Sequence, residues 1–227
     1  MVIFQNSDDQ ASLVKHLNTS TRVEIIRGSG VDLSQYSHVP LPEGVPVVML
    51  AARMLADKGV CEFVQAARIL RARGNSARFC LVGSADPANP ARISESELVK
   101  WASEGVVERW GEQSDMFRVL SAAHIVVLPS YREGLPKVLL EAAACGRPVV
   151  ATDVPGCREA IERGVTGVLV PARNAIALAN AIGDLISDPM RCQAMGNAGR
   201  ALAESAFDVR FVVAAHMRIY QALIDKS

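Results

Sequence analysis

Residues 128–153, LPSYREGLPKVLLEAAACGRPVVATD, form the stretch that decides the fold. The apolar run at 124–128 is typical of a buried strand and stops at a Pro-Ser pair. Residues 137–145 are rich in Ala and Leu, which predicts a helix, and Gly146 stands where that helix would end. The apolar run at 148–152 predicts the next strand. Together these segments predict one strand–helix–strand unit of a parallel sheet.

The same alternation continues on both sides of this unit. Further strands are predicted at 2–4, 23–26, 47–51, 78–82, 106–110 and 166–170. Helices are predicted at 8–17, 58–73, 95–103, 115–122, 175–187, 190–204 and 209–224, with a single helical turn at 159–162. Ser7 has capping-box spacing to Gln10, which predicts Ser7 as the N-cap of the first helix. Strands alternating with helices predict the α/β class, with a Rossmann-like parallel sheet and helices on both faces.

Composition narrows the class of protein. The chain has 227 residues, half of them apolar, so it can bury a substantial core. Its 24 Lys and Arg balance its 24 Asp and Glu, so bulk charge does not indicate a nucleic-acid partner or an anionic membrane surface. No apolar run approaches the roughly 20 residues of a membrane span, and no signal peptide is evident. These features predict a cytoplasmic protein.

The sequence lacks the spacing of several common metal-binding and dinucleotide-binding motifs. The five cysteines have no CxxC spacing, which predicts small buried side chains in a reducing compartment, and no His spacing predicts a metal site. The turn GSGVD at 28–32 has Leu33 where a dinucleotide loop needs its third glycine, so a turn leaving a strand is the better interpretation. Residues 37–46, with three prolines, are interpreted as a linker-like connection.

Charged residues cluster where predicted strands end. Glu133 follows one strand and Glu141 lies eight residues later inside the predicted helix. They could act as acid and base, or accept hydrogen bonds from vicinal hydroxyls. Arg53 and Lys58 follow the strand at 47–51 and suit a diphosphate, although a polar loop with solvated side chains is the better interpretation when they are taken alone. In parallel sheets, ligands bind at the carboxyl ends of the strands.

These residues together resemble a known family. The run Glu133-Gly134-Leu135-Pro136 with Glu141 is similar to the E-x7-E signature of the retaining GT-B glycosyltransferases of family 4, also called group 1. The Arg53–Lys58 spacing, the GVD turn at 30–32 and a later segment with Gly156, Glu159 and Gly167 match other signatures in the family's order. The resemblance implies that the chain is the C-terminal, donor-binding half of a GT-B fold.

The resemblance also implies roles for individual residues. Arg53 and Lys58 would neutralise the donor diphosphate, Glu133 would contact the transferred sugar, and these three form the implied catalytic set. Glu141 would accept hydrogen bonds from the ribose. The full donor-binding set implied is Arg53, Lys58, Gly83, Trp110, Gly111, Glu133, Gly134, Leu135, Pro136, Lys137, Val138 and Glu141. The substrate would be a nucleotide-sugar donor, most simply a UDP-sugar, with no cofactor and no metal.

The resemblance divides the chain into residues 1–20, a remnant of the acceptor-side domain, and 21–227, the donor-binding domain. It further implies an acceptor saccharide or lipid-linked saccharide, bound through an N-terminal domain that this sequence lacks, and work on bacterial cell-surface polysaccharide or lipid-linked oligosaccharide. The longer enzyme could associate peripherally with the inner face of the membrane. The chain alone is expected to bind donor and transfer poorly.

Two alternatives remain open from the residues. The chain could be a nucleotide-binding module without activity of its own, or a GT-B nucleotide-sugar epimerase, although the histidine and acidic set expected of the latter has no match. The apolar residues of the last predicted helix, at 212, 213, 217, 220, 223 and 224, are expected to pack in the core. If the partner domain is absent, they could instead drive self-association.

Overall fold

Six strands form one parallel sheet in the computed structural model, which describes residues 1–225. The chain's strands are β1 (Val2–Phe4), β2 (Val23–Ile25), β3 (Val47–Ala51), β4 (Arg78–Val82), β5 (Glu108–Gly111), β6 (Ile125–Leu128), β7 (Val149–Thr152) and β8 (Gly167–Val170). Strands β3 to β8 make the sheet, in the order β5-β4-β3-β6-β7-β8, and every neighbouring pair is parallel. Three of them, β3, β6 and β7, are buried at every residue, as expected for strands covered on both faces.

The strand order places a crevice at the carboxyl ends of β3 and β6. From β3 the chain builds outward through β4 to β5, and then returns to place β6 on the other side of β3. Because the two halves grow in opposite directions, the loops that follow β3 and β6 part from each other. The residues predicted to bind a diphosphate follow β3, and Glu133 follows β6, so the topology brings them to one crevice.

Helices cover both faces of the sheet, which confirms the predicted fold class. They are α1 (Ser7–Leu13), α2 (Val60–Ala72), α3 (Glu95–Ser103), α4 (Met116–Ser121), α5 (Lys137–Ala144), α6 (Pro155–Ala160), α7 (Ala175–Ser187), α8 (Pro189–Leu202) and α9 (Val209–Ile224). One apolar core contains residues of α4, α5 and α6, and the other contains residues of α2, α3 and α7. Strand side chains alternate between the two cores, since successive residues point to opposite faces.

The short strands β1 and β2 pair with each other outside the main sheet. They are parallel, with Val2 opposite Val23 and Phe4 opposite Ile25. This pairing joins segments on each side of residue 20, where the sequence predicts a domain boundary; the boundary stays a prediction. The N-cap expected at Ser7 lies one residue earlier, because Asn6 caps the helix and its side-chain oxygen accepts from the Asp9 amide at 2.7 Å.

Two predicted helices differ from expectation, one in where it begins and the other in its burial. The helix expected from residue 58 begins at Val60, because Ala56–Lys58 forms a separate 3₁₀ turn and Gly59 has a positive φ of 72°. The expectation for α9 was wrong in a different respect. Its bounds agree with the prediction, but within the described residues Ile219 is its one buried side chain. Most of its apolar side chains are about half exposed or more, among them Phe211, Val213, Met217 and Tyr220.

Cysteine burial agrees with the expectation of small core side chains. Four of the five thiols are buried, Cys61 is half-buried, and all five are free. Burial raises the pKa of Cys145 and of Cys157 to about 12, so neither thiol is a ready nucleophile. Across residues 1–225, none of the helices combines the length and apolar character needed to span a bilayer.

Candidate functional site

A lysine and a glutamate from different loops meet at the crevice. The ammonium Nζ of Lys58 lies 2.6 Å from Oε1 of Glu133, and their side chains are only 21% and 11% exposed. Lys58 lies in the 3₁₀ turn after β3, and Gly59 follows it with left-handed backbone. A Cβ at position 59 would collide with the backbone carbonyl of Pro129, so only glycine lets the two loops approach this closely. The sequence therefore fixes the pair through a glycine contact as well as through charge.

The loop that carries Glu133 is held by contacts on several sides. The Tyr131 amide donates to the Asp57 carbonyl at 2.8 Å, and the Tyr131 hydroxyl donates to Oε1 of Glu62 at 2.6 Å. Burial, reinforced by the bond to Glu62, raises the pKa of Tyr131 to about 12, so this hydroxyl stays a donor at neutral pH. The guanidinium of Arg173 lies 4.5 Å from the centre of the Tyr131 ring. The Glu133 carboxylate is thus presented by a braced loop.

The segment after Glu133 is held by residues in the loops that follow β1 and β2. The side-chain amide of Asn6, which is fully buried, donates to the Gly134 carbonyl at 3.0 Å, and Leu135 packs against Gly28. Pro136 then caps α5 without a side-chain hydrogen bond to the first helical amides. These amides, at Lys137 and Val138, add to the positive potential expected at a helix start. Sequence reasoning missed Asn6, since a capping residue carries no sign of a contact 128 positions away.

The second signature glutamate is buried in the first turns of α5. Glu141 is 5% exposed, and its Oε1 accepts from the Tyr36 hydroxyl at 2.8 Å and lies 3.2 Å from the Lys137 ammonium. Glu133 and Glu141 are therefore bound to different partners, one to a cation and the other chiefly to a neutral hydroxyl. A shared acid–base role would require the two carboxyl groups to act on one group, and no contact between them is seen in residues 1–225.

A cavity of about 200 Å³ lies beside Glu141. It is lined by Ala51, Ala52, Val82, Gly83, Glu112, Gln113, Met116, Val138 and Glu141. These residues come from the carboxyl ends of β3 and β4, from the loop after β5, and from α4 and α5. A mostly apolar cavity with a few polar groups at a sheet switch point is the usual form of a small-molecule site. Of the predicted donor-binding residues, it brings Gly83, Val138 and Glu141 together.

Three other predicted residues lie away from this cavity wall. Arg53 is 61% exposed and its guanidinium lies 3.1 Å from Asp86. The Trp110 indole donates to Glu108 at 3.2 Å and lines a separate depression that also includes Asp115. Gly111 contributes its carbonyl, which accepts from the Gly83 amide at 2.7 Å. Their assignment to a donor site stays a prediction, as does that of the residues around Glu133.

The site offers cations and amide donors rather than metal ligands. In the part of the chain that the structure describes, no group of three or more His, Cys, Asp or Glu side chains is arranged to hold a metal ion. Lys58 and the start of α5 are the cationic and amide groups at the crevice. Such groups bind phosphates through charge-assisted hydrogen bonds.

Comparisons with known proteins agree on one family. A family model described as "Glycosyl transferases group 1" matches residues 45–188. N,N'-diacetylbacillosaminyl-diphospho-undecaprenol alpha-1,3-N-acetylgalactosaminyltransferase of Campylobacter jejuni is 34% identical over 180 residues, 79% of this chain and 45% of the relative. D-inositol 3-phosphate glycosyltransferase of Arthrobacter sp. is 32% identical over 233 residues, 96% of this chain and 54% of the relative. The chain spans about half the length of these curated relatives.

Solved structures show the same fold. Sucrose-phosphate synthase from Thermosynechococcus elongatus superposes with a TM-score of 0.87 at 28% identity, covering 100% of this chain and 59% of that chain. Anabaena Alr3699/HepE in complex with UDP-glucose superposes with a TM-score of 0.83 at 24% identity, covering 99% of this chain and 64% of that one. At that identity the second likeness concerns the fold alone.

Proposed function

Because the chain belongs to the group 1 glycosyltransferases, we propose that its crevice binds a nucleotide-sugar donor, with UDP-sugars as the donor class, for glycosyl transfer that retains anomeric configuration. The observation that carries the proposal is Lys58 at the switch point between β3 and β6, within 2.6 Å of Glu133. A partly buried ammonium at a crevice where a helix also begins suits a diphosphate. The UDP and UDP-glucose complexes of HepE, a protein of similar fold, motivate the choice of base.

In this proposal the residues act at different parts of the donor. Lys58, with Arg53, stabilises the negative charge that develops on the diphosphate leaving group. Glu133 contacts the transferred sugar near its reacting carbon, where an oxocarbenium-like transition state gathers positive charge and the acceptor attacks on the leaving-group face. Backbone amides from Gly134 to Val138 hold sugar hydroxyls and phosphate, and Glu141 accepts from the ribose. No metal or cofactor is required by this arrangement.

The Lys58–Glu133 pair sets a condition on donor binding. Each side chain is the other's partner in the ligand-free chain, so an entering diphosphate must compete for the Lys58 ammonium. Breaking such a pair is favourable only if the ligand replaces both partners, since a poorly solvated charge left alone is costly. A nucleotide sugar does this, because its diphosphate meets Lys58 and its sugar hydroxyls donate to Glu133.

The names of the relatives suggest an acceptor class and a biosynthetic pathway to propose. We propose a saccharide or lipid-linked saccharide acceptor in bacterial cell-surface polysaccharide or lipid-linked oligosaccharide synthesis, with peripheral association at the inner face of the membrane. The names of a lipid-linked acceptor in Campylobacter jejuni and of the capsular polysaccharide enzyme CapM in Staphylococcus aureus motivate this. The second candidate is a donor-binding module that does not transfer alone, favoured by coverage of about half of each relative. A transfer assay with donor and several acceptors separates the two, since turnover by the chain alone excludes the module.

Titration of nucleotides with thermal unfolding as the readout tests the donor proposal. UDP is expected to stabilise the chain more than GDP, ADP or NAD do, because a ligand that binds only the folded state raises its stability. Lys58→Met should weaken UDP and inorganic diphosphate alike, by about tenfold or more, since a hydrogen bond to a charged group is lost. Glu141→Ala should weaken UDP while leaving inorganic diphosphate nearly unchanged.

The matched control is Lys100→Met, which removes an exposed lysine from α3, outside the crevice. It should alter neither ligand. A preference for NAD, or no response to any nucleotide, would count against the donor site. Equal losses of UDP and inorganic diphosphate in Glu141→Ala would contradict the ribose role alone.

A further inference from the structure

One side chain outside the predicted site contacts its most buried carboxylate. Tyr36 lies 105 positions before Glu141, and its hydroxyl donates to Oε1 at 2.8 Å. The Lys137 ammonium reaches the same oxygen, at 3.2 Å. In residues 1–225, Oε2 of Glu141 accepts no hydrogen bond, and this oxygen is not sealed from solvent. Since each carboxylate oxygen has about two acceptor positions, Oε1 is occupied and Oε2 is open.

Tyr36 is held in place independently of this hydrogen bond. Its ring packs edge-on against Phe117, with centroids 6.5 Å apart, and its amide donates to the Asp32 carbonyl at 3.1 Å. The Arg200 guanidinium donates at 2.8 Å both to the Tyr36 carbonyl and to the Ala144 carbonyl at the end of α5. One arginine therefore joins the tyrosine backbone to the helix that carries Glu141. The hydroxyl approaches Oε1 from a fixed direction.

The GVD turn explains how the tyrosine reaches the helix. Gly30 has a φ of 71°, and a Cβ there would meet the backbone of Val209 at 2.8 Å, so this turn packs tightly against the start of α9. The Val31 amide donates to the Phe207 carbonyl at 2.8 Å. Asp32 then closes a turn that places Tyr36 beside α5. The GVD turn, to which the resemblance assigned no role, thus places the Tyr36 hydroxyl within hydrogen-bond distance of Glu141.

We propose that Tyr36 is a positioning residue, which holds Oε1 of Glu141 so that Oε2 is the oxygen presented to the ribose hydroxyls. The inference rests on the proposed function, because it assigns a role within the same donor site. A carboxylate held by one oxygen cannot rotate freely, so its other oxygen keeps one orientation toward the cavity that Glu141 lines. Burial and the adjacent Glu141 charge raise the pKa of Tyr36, so the hydroxyl remains a donor throughout the working range.

The substitution that isolates this role is Tyr36→Phe, which removes the hydroxyl and keeps the ring against Phe117. The measurement is the ribose preference, defined as the ratio of Kd for a 2′,3′-dideoxynucleoside diphosphate to Kd for its ribose form. The probe is whichever of UDP, GDP and ADP the wild-type chain binds most tightly. Tyr36→Phe should lower this preference about fivefold to tenfold and leave the Kd for inorganic diphosphate unchanged. In a Glu141→Ala background it should have no further effect, since the residue acts through that carboxylate.

The chain offers a matched control in Tyr131→Phe. Its hydroxyl also donates to a glutamate, Glu62, at 2.6 Å, but that glutamate does not line the cavity. This variant should leave the ribose preference at the wild-type value. An unchanged preference in Tyr36→Phe, or an additive loss on top of Glu141→Ala, would overturn the positioning role while the donor site stands. Absence of binding of all three nucleoside diphosphates to the wild-type chain would overturn both.

Discussion

The two ends of the six-stranded sheet hold their charged groups in different ways. At the carboxyl end, Lys58 and Glu133 pair with each other through flexible side chains at a crevice. At the amino end, Arg147 precedes β7 and is fully buried, and its guanidinium donates to the carbonyls of Val39 and Pro40 at 3.1 and 2.9 Å. The first arrangement can exchange its partner for a ligand, whereas the second is bonded to the backbone of the chain.

The charged side chains at the two ends of the sheet have different roles. Backbone carbonyls cannot leave Arg147 without moving the segment at 37–46, which the sequence identified only as a linker. Burial lowers the pKa of Arg147, but an arginine side chain stays charged. Its hydrogen bonds to the Val39 and Pro40 carbonyls offset part of the desolvation cost, and they fix that segment to the sheet. Lys58 is less deeply buried, with 21% of its side chain exposed, and its partner is the Glu133 side chain. The amino end is therefore structural, and the carboxyl end is available for chemistry.

The largest expected effect separates volume from charge at Arg147. Arg147→Ala should lower the free energy of unfolding by about 3–5 kcal/mol, because it empties a buried space and leaves two carbonyls unpaired. Arg147→Met should cost distinctly less than Arg147→Ala, since it refills most of the space of the buried stem, while both variants remove the two guanidinium nitrogens, Nε and Nη1, that have no acceptor among the described residues. Urea unfolding measures both. Neither variant should change the Kd for inorganic diphosphate, and a clear loss of binding would break the contrast between the two ends.

The second-largest expected effect concerns Gly59, at the carboxyl end of the sheet. Gly59→Ala should lower the free energy of unfolding by about 3 kcal/mol, through left-handed strain and collision with Pro129. The control is Gly74→Ala, where φ is 82° and a Cβ would meet nothing within 4 Å, so only strain of about 1 kcal/mol is expected. The difference between the two, read from urea unfolding, measures the close approach of the loops. Equal losses would mean that the glycine contact does not hold Lys58 against Glu133.

Sequence reasoning predicted the sheet and the edge of it where Lys58 and Glu133 meet, for reasons that particular residues illustrate. Strands such as β3 and β4 were predicted to the residue, because a continuous apolar run bounded by Pro or Gly has few other interpretations. Glu133 and Lys58 were found because both directly follow strands, and strand ends meet at one edge. Tyr36 and Asn6 were missed, since their contacts lie 105 and 128 positions away and leave no local pattern.

The same limit explains the wrong expectation for α9. Periodicity identified its length and its apolar side, because both are local properties of a helix. It could not say what lies against that side, and in the described chain Ile219 alone is buried there. Amphipathic spacing predicts that one face of a helix is apolar. Which element packs against that face depends on tertiary contacts, and the spacing carries no information about them.

The smallest expected effect concerns pH at the amino end. His124 precedes β6, and its Nδ1 accepts the Val47 amide at 3.0 Å, so protonation there would break a hydrogen bond. Burial, with a smaller contribution from Arg147, lowers the pKa of His124 below its ordinary value of 6.5, although a hydrogen bond with the Pro42 backbone opposes this. The unfolded chain therefore binds this proton at higher pH than the folded chain does. Stability should be fully present above pH 6.5 and decline as pH falls below it.

The window from about pH 7 to pH 5 separates this histidine from the carboxylates whose pKa values are lowered in the folded chain. The carboxylates of Asp32, Glu108 and Asp153 have lowered pKa values because hydrogen bonds favour their charged forms, so their contributions are lost only at more acidic pH, near and below about 4. His124→Asn keeps an acceptor for the Val47 amide without titrating in this window, and it should flatten the decline in the urea midpoint. If the variant declines as steeply as the wild type does, the pH response belongs elsewhere.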